Sequence, residues 1–104
     1  MRIVYKYPIC SLTVNPPPLI MELAVPNESM FMTAGVEGDT LVAWMLVETE
    51  VPATMNKHYL VMPTGVGLPP EYKFAEYNAT VATHHAGVWH LFDATACYQK
   101  KSTE

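Results

Sequence analysis

The chain has 104 residues and a mass of 11.6 kDa, which corresponds to one small domain. Hydrophobic residues make up 50% of it and charged residues 15%, a composition that excludes an intrinsically disordered chain. The net charge of −4 argues against direct binding to nucleic acid, and no apolar run reaches the roughly 18 residues of a membrane helix. The low charged fraction predicts an apolar surface that an assembly covers.

The first thirty residues show the alternation and the proline punctuation of short strands. Residues 2–7 are β-branched and aromatic, and we expect this strand to end at Pro8. The three prolines at 16–18 predict a stiff extended connector. A second short strand is expected over residues 19–24, because prolines on both sides disfavour a helix there.

A β-hairpin follows. Residues 30–36 alternate, residues 37–40 supply turn chemistry, and residues 41–47 are apolar at successive positions. A strand that is apolar on both faces is either a central strand packed on both sides or one whose outer face meets another chain.

The second half of the chain continues in short segments separated by glycine and proline. In chain order we predict a loop over 48–56, a strand over 58–62, a glycine- and proline-rich loop over 63–70, one bent strand or two short ones over 72–83, a last strand over 88–92, and a polar tail over about 98–104. About seven short strands predict a single all-β domain over residues 1–104, an antiparallel sandwich or barrel.

Few residues carry the patterns of catalytic or metal chemistry. Cys10 and Cys97 stand near opposite ends of the chain, and we interpret them as two reduced thiols, with a disulfide between them as the alternative. The histidines at 58, 84, 85 and 90 lack the spacing of zinc ligands, so no metal and no cofactor is expected. The ten acidic residues are dispersed, and no nucleophile motif occurs, so we expect no enzyme.

The loop at 63–67 is the most unusual local feature. Its backbone amides and the Thr64 hydroxyl could line a small anion site around Gly65, although a tight turn explains the same residues. Trp44 and Trp89 both lie on predicted strands, where core packing is the default. If either is exposed, it becomes an anchor for a partner.

Six segments together resemble a family of short bacteriophage proteins of unknown function, over roughly residues 3–93. They are Tyr5-Lys6-Tyr7-Pro8-Ile9, Val25-Pro26, Leu41-Val42-Ala43-Trp44-Met45-Leu46-Val47, Thr64-Gly65, Tyr77-Asn78-Ala79-Thr80 and Val88-Trp89-His90-Leu91-Phe92. The chain departs from the family pattern at Pro63 and Ala79, where the pattern favours glycine. The resemblance implies a phage origin and a setting in the host cell cytoplasm.

Three functions fit this picture, all based on binding. The first is a non-enzymatic inhibitor of a host antiviral defence protein, which is an analogy with other small phage proteins. The second is a small-molecule binder that sequesters a nucleotide second messenger. Its site would use rings from Tyr5, Tyr7, Trp44 and Trp89, a cation from Arg2 or Lys6, and phosphate contacts from Thr64 with Gly65. The third is a structural or assembly module of a phage particle. A homodimer is the default assembly for each, and Thr64, Gly65 and His90 complete the candidate contact residues.

Overall fold

Two antiparallel β-sheets pack face to face and form the fold. The computed structural model describes residues 1–13, 19–50, 54–84 and 86–102; the interpretations of residues 16–18 and of His85 fall outside these ranges. The seven strands are β1 (Arg2–Ser11), β2 (Leu19–Pro26), β3 (Met30–Glu37), β4 (Thr40–Glu48), β5 (Thr54–Pro63), β6 (Glu76–Ala82) and β7 (Val88–Asp93). The predicted all-β class is confirmed, and the architecture is a sandwich.

The first sheet has three strands in the order β1-β4-β3. The predicted hairpin forms β3 and β4, which pair from Met30↔Leu46 to Glu37↔Thr40. Gly38 occupies the turn with φ 63°, a backbone conformation that costs glycine little. β1 then pairs with the other edge of β4, which makes β4 the central strand.

The second sheet has four strands in the order β2-β5-β7-β6. β5 pairs with β2 on one side and with β7 on the other, and β6 and β7 form a hairpin. Residues 72–83 contain a single strand, β6, whose register shifts between Tyr77 and Ala79. Of the two predicted alternatives, the structure therefore has one irregular strand and not two short ones.

The main core lies between the two sheets. β4 contributes every second residue, Leu41, Ala43, Met45 and Val47, each with no exposed surface. Residues of the same parity point to the same side of a strand, so Val42, Trp44 and Leu46 lie on the outer side of the three-stranded sheet.

A second apolar layer covers part of the outer side of the four-stranded sheet. Leu60 and Met62 of β5 pack there against Ala94 and Cys97. Cys97 belongs to α1 (Thr95–Ser102), a helix that the sequence reading did not anticipate, and a 3₁₀ turn at Pro70–Tyr72 completes the layer. Within the described ranges no helix has the length and hydrophobicity to cross a bilayer.

Pro8 does not end the first strand, contrary to the expectation from sequence. β1 runs through Pro8 to Ser11, with a register shift between Pro8 and Cys10. β1 is an edge strand, and an edge position tolerates a residue that has no N–H to donate to a neighbouring strand.

The two cysteines are free thiols. Cys10 packs against the core between the sheets, whereas Cys97 lies in the layer outside the four-stranded sheet. The two residues therefore lie on opposite sides of that sheet, which is incompatible with the alternative disulfide.

Candidate functional sites

A chain of hydrogen bonds centred on His90 crosses the outer side of the four-stranded sheet. The Thr64 hydroxyl lies 2.7 Å from His90 Nε2, and the Thr80 hydroxyl lies 2.9 Å from His90 Nδ1. The Tyr77 hydroxyl lies 2.8 Å from that of Thr80. We call these four residues the His90 cluster.

Three separate parts of the chain build this cluster. Thr64 directly follows β5, where its backbone N–H donates to the carbonyl of Val88 at 3.3 Å. Thr80 lies opposite His90 in the pairing of β6 with β7. The predicted candidates Thr64 and His90 are thus neighbours, and Gly65 follows Thr64 in a turn with φ 89°.

The register shift in β6 explains why Tyr77 joins the cluster. Residues 77 and 80 differ by three positions, so a regular strand would point their side chains to opposite sides. Because the shift falls between them, Tyr77 lies opposite Phe92 and Thr80 lies opposite His90. Phe92 and His90 share the outer side, and both β6 hydroxyls therefore face outward.

The hydrogen bonds hold the imidazole ring whichever nitrogen carries the proton. If both nitrogens are protonated, each donates to a threonine oxygen; the Thr64 hydroxyl then donates to the Val88 carbonyl, 3.4 Å away, and Thr80 donates to Tyr77. If one nitrogen carries no proton, it accepts a hydrogen bond from the hydroxyl of the threonine beside it. Every member keeps a partner, so the ring orientation is fixed.

Tyr77 is the most exposed ring in this region. Its side chain is 61% exposed, yet its conformation is held at two points. The ring makes an edge contact with Phe92 at a centroid distance of 6.0 Å, and the hydroxyl is bonded to Thr80. Sequence reasoning did not select Tyr77 or Thr80 as site residues; it placed them in the predicted strand region 72–83 and in one segment of the resemblance.

The outer side of the three-stranded sheet is the second candidate surface. The strand pairings place nine residues on its central part: Val4, Lys6, Pro8, Met30, Thr33, Gly35, Val42, Trp44 and Leu46. We call this surface the Trp44 face. Val4 is 47% exposed and Met30 is 52% exposed, whereas Trp44 and Leu46 are half-buried. Trp44 is therefore outside the core, where a partner could reach it.

The other aromatic residues predicted as candidates lie neither in the His90 cluster nor on the Trp44 face. Trp89 is buried in the core, and its indole N–H donates to the Ala86 carbonyl at 2.8 Å, so it serves packing. Tyr5 and Tyr7 lie on the core side of β1 with an edge contact at 6.4 Å. Burial raises the pKa of Tyr7, and the side chain of Tyr5 remains 44% exposed.

A cleft of about 800 Å³ opens between the ends of the two sheets. Val36, Ala82 and Ala86 give it an apolar lining, and Asp39 and His84 add polar groups. Asp39 Oδ2 accepts a hydrogen bond from the Thr13 hydroxyl at 2.5 Å. Sequence reasoning missed this cleft, because its walls come from the turns of two different hairpins.

No group of three or more histidine, cysteine, aspartate or glutamate side chains in the described ranges is arranged to hold a metal ion. His58 instead stacks on Tyr98 at 4.0 Å and lies 3.2 Å from the carboxylate of Glu22.

These features define a small β-sandwich domain with a polar cluster on one outer side and an apolar face on the other. The chain belongs to a family described as a domain of unknown function, DUF7352, whose model matches residues 1–101. No curated protein and no solved structure matches the chain.

Proposed function

We propose that the protein acts by binding another protein, without catalysing a reaction, through a surface formed by the His90 cluster with Val66 and Val88. The observation that carries this proposal is Tyr77, a largely exposed aromatic side chain that is fixed in one conformation by Phe92 and Thr80. Tyrosine is enriched among the residues that dominate binding energy, and a side chain ordered before binding loses little entropy on association.

Exposed apolar side chains accompany the cluster. Val88 is 41% exposed and shares the outer side of β7 with His90, and Val66 is 50% exposed two residues after Thr64. Hydroxyls, an imidazole, an exposed tyrosine at one end of the cluster and exposed aliphatic groups make a mixed surface that is typical of protein recognition.

Binding fits this site better than catalysis. The Thr64 hydroxyl and His90 have the spacing of a nucleophile and its base. The group on the other imidazole nitrogen is the neutral Thr80 hydroxyl, and no carboxylate in the described part of the chain contacts His90. An imidazolium formed during proton transfer would lack the stabilisation that a carboxylate supplies in hydrolase triads.

The resemblance to phage proteins suggests the partner. We propose a protein of the bacterial host as the target, and inhibition of an antiviral defence protein in the host cytoplasm as the role.

Capture from host lysate tests this proposal. Immobilised protein should retain one host protein at near-stoichiometric amount, and Tyr77→Ala should reduce its retention by about tenfold or more. Tyr77→Phe keeps the ring and should retain most of the binding. Tyr5→Ala, which removes an exposed tyrosine outside both candidate surfaces, is the matched control and should behave like the wild type. Recovery of no stoichiometric partner, or equal recovery with Tyr77→Ala, would contradict the proposal.

The cleft supports a second candidate, the binding of a small molecule. Its volume lies in the range of ligand pockets, but its charged lining in the described ranges is Asp39, without lysine or arginine. An acidic lining disfavours the phosphates of a nucleotide messenger. A nucleotide that raises the melting temperature of the wild type, and does so equally in Tyr77→Ala, would favour this candidate over the first.

A further inference from the structure

The Trp44 face is apolar and flat at its centre. A Cβ atom on Gly35 would lie 3.1 Å from Trp44 Cζ3, so the indole ring lies against the backbone of β3 at Gly35. The absence of a side chain at this position lets the ring extend across the sheet instead of standing away from it. Val4, Leu46 and Met30 lie opposite one another and form an apolar row across the three strands. Trp44 lies in the next row, between Lys6 and Thr33, and its ring extends toward Gly35 on the side away from Leu46.

The charged groups around this face neutralise each other within one molecule. Lys6 Nζ lies 2.7 Å from Glu37 Oε1, and the N-terminal ammonium lies 2.6 Å from Glu48 Oε1 and 3.4 Å from Glu50 Oε2. Arg2 lies opposite Glu48 in the pairing of β1 with β4. These three cations and three anions cancel, so the groups around the face carry no net charge although the chain carries −4. A strongly charged partner would find no excess opposite charge here, whereas an identical face meets it without net repulsion.

The size of the Trp44 face determines how strongly we expect it to associate with a partner. Three strands at about 4.8 Å spacing and about seven residues of each make a surface roughly 14 Å wide and 24 Å long. Two such faces bury roughly 700 Å², which is below the size of a standard interface and in the range of weak, transient contacts. The association is therefore weak and depends on concentration.

We infer that the Trp44 face binds a second copy of this chain, so that two molecules pack their three-stranded sheets face to face about a twofold axis near Trp44. Aligned packing of two sheets at about 10 Å is a common solution for apolar faces of this kind. The four-stranded sheets then form the two outer sides of the dimer. Each of them carries one His90 cluster.

Sedimentation velocity from about 5 μM to about 500 μM tests the inference. The wild type should change from monomer to dimer within this range. Val4→Glu and Leu46→Lys each place like charges on both sides of the axis and should raise the dissociation constant at least about tenfold. Val66→Lys, in the loop after β5, should dimerise like the wild type.

Tryptophan fluorescence provides a second readout. Trp44 is half-buried in the monomer whereas Trp89 is already buried, so the emission maximum should shift to shorter wavelength as the dimer forms. Trp44→Phe should abolish that shift. A wild type that stays monomeric throughout would overturn the inference, and so would a dimer that Val4→Glu leaves unchanged. Neither result bears on capture of a host protein by Tyr77, so the two proposals fail independently.

Discussion

Cys10 shows how burial controls the chemistry of a single residue. Its side chain packs against the core, and desolvation raises the pKa of the thiol from 9.0 to about 11. A thiol with this pKa is almost entirely protonated at neutral pH and reacts slowly as a nucleophile. The structure therefore gives a reason, beyond the missing sequence motif, for expecting no cysteine-based catalysis at this position.

The same pKa shift makes the free energy of unfolding depend on pH. In the unfolded chain the thiol ionises near its ordinary pKa, whereas the folded chain keeps the proton until about pH 11. As the pH rises from about 9 to about 11, the unfolded state loses more protons, and stability falls. Burial also raises the pKa of the Tyr59 phenol, which acts in the same direction at still higher pH.

We expect Cys10→Ala to isolate this contribution. Chemical denaturation of both proteins should give a constant stability difference between about pH 6 and pH 8. Above about pH 9 the advantage of the wild type should shrink, because only the wild type has the thiol to ionise. A difference that does not change with pH would contradict the assignment of the shift to Cys10.

Helix α1 illustrates how an element can depend on its contacts. Thr95 begins the helix, and its N–H donates to Asp93 Oδ1 at 2.9 Å while its hydroxyl accepts from the His58 N–H at 3.0 Å. Tyr98 stacks on the ring of His58 at a centroid distance of 4.0 Å. An eight-residue helix is marginal in isolation, so these contacts with β5 and the end of β7 hold it in place.

Tyr98→Ala should therefore weaken the attachment of α1. The change removes the ring that packs on His58 and on the Leu60–Met62 layer, and we expect a loss of about 1–2 kcal/mol in the free energy of unfolding, less than for a fully buried ring. Tyr98→Phe is the matched control. It keeps the ring and loses only the 3.4 Å contact with the Tyr72 hydroxyl, so thermal denaturation should show a much smaller change. Equal effects of the two variants would contradict a packing role.

The elements differ in how far the sequence could predict them. Residues 41–47 were predicted as a strand with an apolar outer side, and β4 has both properties, because length and turn residues determine a short strand locally. Residues 95–102 carry no helical pattern of apolar positions, and their structure depends on a surface of β5 that is distant in sequence. The continuation of β1 beyond Pro8 likewise depends on its position at the sheet edge, which no local pattern reveals.

The candidate site also combines residues that the local sequence indicates with contacts that only the fold determines. The sequence indicated Thr64 as a candidate in a loop and His90 as a candidate on a strand, without relating the two. Their contact depends on the neighbouring positions of β5, β6 and β7 in one sheet. Tyr77 and Thr80 share a side only because of the register shift in β6. Strand order and register are properties of the whole molecule, and one sequence without its fold does not specify them.

The sheet order also determines which backbone amides are protected from solvent exchange. β5 lies between β2 and β7, and its residues Tyr59, Leu60 and Val61 are at most 3% exposed because the core covers one side and α1 the other. Among the strands of the described ranges, β1 pairs with β4 alone, so no described strand covers its other edge. Opening of β1 should therefore require less free energy than opening of β5.

Hydrogen exchange measured by NMR should show this order. Amides at the centre of β5 should exchange only through global unfolding, with a free energy equal to that from denaturation, and amides on the open edge of β1 should exchange much faster. Raising the protein concentration should leave the β1 edge unchanged, because face-to-face dimers cover side chains and add no strand to the edge. Protection of β1 that increases with concentration would indicate an edge-to-edge dimer instead, since pairing of two β1 strands would satisfy their open amides. The experiment thus tests the stability order within one molecule and the geometry of its association together.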